Sequence, residues 1–267
     1  MSEHPVITRL RARRGGAAPF HDGRKIALVL YGGIMLGVRG AGALLAIEEA
    51  GLGRTFDEIY TMSSGFLNGS YFVSGQIADA FAMYADEFSG KKFLNPRRFW
   101  KPADIAYLLS VAKERRPLDI AAALANPTRL SAMLVNADKG GQEYLEVHRV
   151  GAADYPNLVR AAASLPFVGW GATRIGGTRY RDIFRDHNLP DLMRHVLATD
   201  ATDVLALYNY PWQKEYVDAK VGITGAEERL FEYCPCPEPM SRFETDAAKL
   251  RATGEDARRR MAELLRA

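Results

Sequence analysis

The run Ile26-Ala27-Leu28-Val29-Leu30 is apolar at every position, with no polar alternation. A strand with one face in water alternates, so this one reads as buried on both faces, like the central strands of a parallel sheet. It stops at Tyr31-Gly32-Gly33-Ile34-Met35-Leu36-Gly37. From Gly40 the spacing of Ala43, Leu44 and Ile47 predicts an amphipathic helix closed by Gly51. The order then repeats. Phe56 to Tyr60 is β-prone, a turn follows at Met62-Ser63-Ser64-Gly65, and Leu67, Tyr71 and Phe72 continue at helical spacing. Two successive strand-loop-helix units predict an α/β fold with a central, mostly parallel sheet and its sites at the carboxyl ends of the strands.

The remaining elements fit around that sheet. Ser89 to Leu130 reads as helical and irregular, broken by prolines at 96, 102, 117 and 127, with Ile105, Leu108 and Leu109 as core rather than lid. Met133 to Asn136 and Glu143 to Val147 read as strands joined by the turn Asp138-Lys139-Gly140-Gly141, which puts His148 at the end of an alternating strand. Tyr155 to Ser164 is a short helix ended by Pro166. Ile175 to Asp182 is a glycine turn and a short strand that ends on a carboxylate. Leu189 to Leu197 reads as helix, and Asp203 to Tyr208 as another buried strand. From Ser241 a charged helix with Leu250, Gly254, Ala257, Met261 and Leu264 on one face is expected to pack back on the body. The chain accordingly divides into a basic arm (1–24), a main α/β domain (25–212) and a C-terminal extension (213–267).

Composition excludes several classes. At 267 residues, 48% hydrophobic, the chain is long enough for a sizeable core, and no segment reaches the roughly 18 consecutive apolar residues of a membrane span. The arginines at 9, 11, 13 and 14 precede no apolar stretch, so the N-terminus is not a secretory signal, and a cytoplasmic location is the default expectation. Net charge is a mild +3, and no nucleic-acid-binding motif accompanies it. Lys91-Lys92 and Arg97-Arg98, interleaved with Phe93, Phe99 and Trp100, suit a solvated loop with snorkelling side chains or a peripheral contact with an anionic membrane surface. Cys234 and Cys236 are too close in sequence for a disulfide, and no Cys or His pair elsewhere completes a zinc spacing, so neither metal nor cofactor is expected.

Two stretches carry chemistry. A serine between a strand and a helix is usually an N-cap, but the same position is the nucleophile elbow of serine hydrolases. Ser63 fits the elbow pattern G-x-S-x-G in part, with Thr61 where the first glycine is usual and Gly65 retained. The loop Gly32-Gly33-Ile34-Met35-Leu36-Gly37 matches neither a dinucleotide fingerprint nor a P-loop, which needs Lys-Ser/Thr after its last glycine. Glycine-turned N–H groups also make oxyanion holes, and with a serine on the next strand that use fits better. Asp182, at a strand terminus, is either a turn residue or a base. A Ser-Asp-His triad needs a histidine after the acid, and only His187 and His195 follow Asp182, both close to the next helix.

Taken in order, the glycine loop, the Glu48-Glu49-Ala50-Gly51 helix end, the elbow through Asn68-Gly69, Ala161-Ala162-Ala163-Ser164-Leu165-Pro166, Tyr180-Arg181-Asp182 and Asn188-Leu189-Pro190 resemble the patatin-like phospholipases. The resemblance runs from about Lys25 to Tyr210. It implies a three-layer α/β/α fold and a lipid acyl hydrolase that works through a Ser-Asp dyad, without histidine or metal. It further implies Ser63 as nucleophile, Asp182 as its base and the backbone of Gly32, Gly33, Ile34, Met35, Leu36 and Gly37 as oxyanion hole. This chain departs from the family pattern at Ile34, where a third glycine is usual, at Leu36 in place of an arginine, and at Ile183-Phe184 in place of two glycines. Ile34 sits there without strain only at negative φ. Besides the hydrolase, two alternatives stand: a catalytically weak relative that binds a lipid or a partner, and an acyltransferase using the same dyad.

Overall fold

The structure is a computed structural model that describes residues 4–266, apart from 96, 99–101, 165–170, 184–187, 223–225, 227 and 235–238. Phe99, Trp100, Leu165, Pro166, Phe184, His187 and Cys236 therefore lie outside the described residues. The elements run in the order α1 (Pro5–Ala12), β1 (Ile26–Leu30), α2 (Gly37–Glu49), β2 (Glu58–Thr61), α3 (Ser64–Val73), α4 (Ile77–Asp86), α5 (Ile105–Ser110) and α6 (Ile120–Ala125). They continue with β3 (Arg129–Asn136), β4 (Gln142–Glu146), α7 (Val147–Ala163), β5 (Thr173–Ile175), β6 (Thr178–Arg181), α8 (Leu189–Leu197), β7 (Asp203–Leu207), α9 (Pro211–Val221), β8 (Leu230–Tyr233) and α10 (Ala247–Arg266).

The strands form one sheet in the order β5-β6-β3-β2-β1-β7-β8, with β4 also paired to β3. From β3 to β8 the pairing is parallel; β4, β5 and β6 add an antiparallel edge. The apolar run of β1 is central, with Leu28 level with Ile59 of β2 and Leu205 of β7. Its side chains divide between two cores. Ile26, Leu28 and Leu30 face the cluster formed with α2, α3, α4, α7 and α10, while Ala27 and Val29 face the smaller one under α8 and α9. Burial on both faces is why the strand carries no alternation. The architecture is a three-layer α/β/α sandwich, as expected from the sequence.

After β1 the chain crosses to β2 on one side, and β7 returns on the other. The glycine loop therefore opens at the point where the strand order reverses, the usual place for a site in an open α/β sheet.

Several local expectations are corrected. The helix before Ser164 begins at Val147, and a break at Gly151 (φ 77°) lets one helical turn precede the main run. His148 thus belongs to that first turn and not to a strand; its Nε2 lies 3.1 Å from the Asn126 carbonyl, ahead of β3 and at the opposite end of the sheet from Ser63. The basic arm contains α1, whose Val6, Ile7 and Leu10 are buried. Its arginines face carboxylates at the amino ends of the strands: Arg9 meets Asp203 at 2.5 Å and Arg13 meets Asp57 at 2.6 Å. The segment after residue 212 supplies β8 to the sheet. In α10 the buried stripe is completed by Leu265, with Leu264 half-buried, because a spacing of four from Met261 keeps the stripe facing α2.

The helices α2 and α10 approach almost backbone to backbone. A Cβ at Gly42 would overlap the Gly254 carbonyl oxygen and lie 3.1 Å from the Gly254 carbonyl carbon. Backbone cannot yield as a flexible side chain does, so Gly42→Ala is expected to destabilise the protein by about 1–3 kcal/mol, the usual cost of overpacking. Urea unfolding measures this; an unchanged midpoint would mean that α10 is not held on α2 in this way.

Candidate active site

Ser63 occupies the N-cap position of α3, yet its side chain caps no helix amide. Its backbone is instead held at φ 52° and ψ −132°, a region that non-glycine residues rarely enter. Such a conformation costs of order 1–3 kcal/mol and persists only where the surroundings enforce it. Here Met62 N donates to the Leu30 carbonyl at 3.2 Å, tying the turn to β1, and Gly65 N donates back to Met62 at 2.9 Å. Gly65 lets α3 start this close to β1, since a Cβ there would overlap the Leu30 carbonyl oxygen. Thr61 does not crowd the turn: its hydroxyl donates to the Ser131 carbonyl at 2.9 Å, and its side chain is fully buried.

The glycine loop packs directly on this turn. A Cβ at Gly32 would overlap the Ser63 Cβ and lie 2.9 Å from the Met62 carbonyl oxygen, so only glycine permits the approach. Ile34 has φ 55°, the strained case for a β-branched residue. Of the six loop amides, Gly33 N donates to Ser64 Oγ at 3.0 Å, Met35 N to the Arg242 carbonyl at 3.2 Å, and Leu36 N to Gly33 at 3.0 Å. Gly37 N donates to the Ile34 and Met35 carbonyls, closing a 3-10 turn over Ile34–Leu36. Among the described residues, the amides of Gly32 and Ile34 are left without a protein acceptor. Where the family pattern has an arginine, Leu36 is buried. Arg39, one turn on, is also buried and donates to the Asn209 carbonyl at 2.8 Å.

Asp182 follows β6 immediately and is 1% exposed. Its amide donates to Ser164 O at 3.3 Å, and its Oδ1 accepts from Ile183 N at 2.7 Å. Burial pushes the carboxyl up to about 8; the Ser63 hydroxyl and the Ile183 amide pull it back down by less. Oδ2 nevertheless has no partner in good hydrogen-bond geometry. Ser63 lies close enough to the Asp182 carboxyl to favour its ionised form, although Oδ2 makes no hydrogen bond to it or to any other described group. Of the two histidines available for a triad only His195 is described, and it makes no hydrogen bond to Asp182. His195 on α8 stacks on Tyr144 with ring centroids 3.6 Å apart, and burial lowers its pKa.

A narrow, largely apolar cavity of about 50 Å³ opens on Ser63, walled by Ile34, Leu67, Phe88, Phe93, Leu108 and Val159. Phe93 of the basic-aromatic cluster therefore faces inward. A hydroxyl placed between a buried carboxyl, unpaired loop amides and an apolar slot can attack a carbonyl carbon whose apolar substituent fills the slot. Among the described residues no group of His, Cys, Asp and Glu converges to hold a metal ion.

Sequence reasoning missed the polar residues that support this arrangement. Ser64 accepts from Gly33, Tyr84 OH donates to Asn68 Oδ1 at 3.1 Å, and Asn68 Nδ2 donates to the Gly37 carbonyl at 2.8 Å. Asn209 and Gln213 reach the loop from beyond β7. A polar residue directly after a fully buried strand was the available signal for Asn209.

Comparison with known structures finds distant likenesses. VipD from Legionella pneumophila aligns with a TM-score of 0.48 and 11% identity, over 92% of this chain and 67% of that one. ExoU, in its heterodimeric complex with SpcU from the type III secretion system of Pseudomonas aeruginosa, aligns at 0.45 and 16% identity, over 91% of this chain and 51% of that one. ExoU as a type III effector protein aligns at 0.42 and 12%, over 91% and 53%. The chain thus spans about two thirds of the length of VipD and about half that of ExoU. No family model and no curated protein matches the chain.

Proposed function

We propose that this chain is a serine acyl hydrolase of patatin-like type that cleaves lipid esters, with Ser63 as nucleophile and Asp182 as its base. The observation that carries this reading is the pairing of a serine in a strained turn that caps nothing with a buried aspartate, whose Oδ2 is unpartnered and whose pKa the serine hydroxyl lowers. The Ser63 oxygen bonds to the ester carbonyl carbon as its proton passes to Asp182, and the carbonyl oxygen becomes an oxyanion. Collapse of that intermediate breaks the bond to the alcohol, which leaves with the proton from Asp182. Water, deprotonated by the same carboxylate, then cleaves the acyl-enzyme. The amides of Gly32 and Ile34 are the donors for the oxyanion, a narrower set than the whole loop. The apolar slot takes the acyl chain, and its small volume favours short or slender chains.

The lipid assignment rests on that slot and on the sequence resemblance. Trp212 and Phe243 are large apolar side chains left 46% and 52% exposed, a pair suited to a peripheral contact with a lipid surface. No helix among the described residues is long and apolar enough to cross a membrane. An acyltransferase would use the same first half-reaction, with another alcohol in place of water.

A serine-directed fluorophosphonate is expected to label the protein once, at Ser63, as located by peptide mass mapping, and Ser63→Ala is expected to remove the label. Labelling elsewhere, or none on folded protein, would sink the assignment.

A further inference from the structure

The Gly32–Gly33 peptide is gripped from both sides. Its carbonyl oxygen accepts from Asn209 Nδ2 at 3.1 Å and from Gln213 Nε2 at 3.0 Å, and its N–H donates to Ser64 Oγ at 3.0 Å. The donors are themselves locked. Asn209 Nδ2 also reaches the Tyr31 carbonyl at 2.5 Å, its Oδ1 accepts from Gly40 N at 3.1 Å, and its backbone N–H donates to Gln213 Oε1 at 3.0 Å. Both side chains are 1% exposed. Two carboxamides buried at one spot are costly unless their hydrogen bonds are made, and here they are spent on the main chain beside Ser63.

Two adjacent glycines leave a peptide plane free to rotate, because no Cβ restricts it. In a peptide the C=O and N–H point in opposite directions, so fixing the oxygen also fixes where the following amides point. We propose that Asn209 and Gln213 are positioning residues that hold the Gly32–Gly33 peptide so that the flanking amides of Gly32 and Ile34 meet the developing oxyanion. They act through the loop and do not touch the ester. The inference rests on the acyl-hydrolase reading, but it has a readout independent of turnover. The pair also crosses the strand reversal: β1 supplies the loop, and the segment after β7 supplies its clamp.

Gln213→Met, close in shape and without the amide, tests this directly; Asn209→Leu is the parallel variant. By hydrogen exchange, the hydrogen-bonded amides of Gly33, Met35 and Leu36 in folded Gln213→Met are expected to exchange about tenfold faster or more than in wild type, as local opening becomes easier. With p-nitrophenyl butyrate, kcat is expected to fall by about tenfold or more, since misaimed oxyanion donors cost rate and not ground-state binding, while KM and the pH midpoint stay at wild-type values. Wild-type exchange rates in the variant's loop overturn the positioning role, and so does faster exchange with unchanged kcat. Faster loop exchange in a protein whose wild type neither labels nor turns over ester would instead overturn the hydrolase reading and leave the clamp standing.

Discussion

Asp182→Asn is expected to lower ester turnover by about 10³-fold or more while raising thermal stability above pH 8. On the proposed mechanism the loss follows from removing the base, whose contribution is typically about 10²–10⁴ in rate. The gain follows from burial. The Asp182 carboxyl, fully enclosed, titrates near 8 in the folded protein, far above its ordinary value of 3.8. A group whose folded pKa is raised binds its proton more tightly in the native state. Its contribution to stability is therefore full below the unfolded pKa and is lost as pH rises through the folded one. Wild type thus loses stability across the interval from 3.8 to about 8, whereas asparagine has nothing to ionise. The melting-temperature difference in favour of Asp182→Asn should widen through that window and then level off. The same titration sets activity: only the ionised carboxyl takes the Ser63 proton, so wild-type kcat/KM should rise with pH to a midpoint at about 8. A flat profile between pH 6 and 9, or an active Asn variant, would remove Asp182 from the mechanism.

Gly32→Ala is expected to cost about 10²–10³ in kcat/KM, comparable to losing an oxyanion donor. The new methyl would overlap the Ser63 Cβ and crowd the Met62 carbonyl at 2.9 Å, so either the loop retreats from the serine or the turn relaxes from its strained conformation. Both outcomes separate Ser63 from the loop amides proposed as its oxyanion donors, and fluorophosphonate labelling should slow in parallel. Gly53→Ala is the control. Its Cβ would meet nothing closer than the Glu48 Cγ at 3.4 Å, an ordinary contact, and activity there should match wild type. A fully active Gly32→Ala would show that the approach of loop to turn has no bearing on rate.

The two principal residues were legible because each sits where a pattern changes. Ser63 stands where a β-prone run gives way to helical spacing, and Asp182 where a short strand ends. Residue identity alone could not separate nucleophile from N-cap. The structure bears on that choice through φ 52° at Ser63 and the missing cap bond. His148 was misplaced for a related reason: Gly151 breaks the helix, so the first turn of α7 lacks the continuous periodicity that marks a helix, and it reads as the end of β4. The loop from Gly32 to Gly37 was legible as glycine-rich, but not which of its amides stay unpaired. That depends on Ser64 and on the Arg242 carbonyl, both outside the loop and the second remote in sequence from it.

The sequence by itself determined the layered fold, because a strand apolar on both faces can only be buried between two helical layers, and that fact is written in five consecutive residues. It also determined that a serine and an aspartate terminate strands of one sheet. Only the tertiary structure decided that Ser63 comes near enough to the Asp182 carboxyl to act on its pKa. It also decided that the carboxyl titrates near 8 and that Ile34 is held at positive φ. Each of these depends on which groups from distant parts of the chain exclude water or supply hydrogen bonds at one point, and neither periodicity nor composition encodes that.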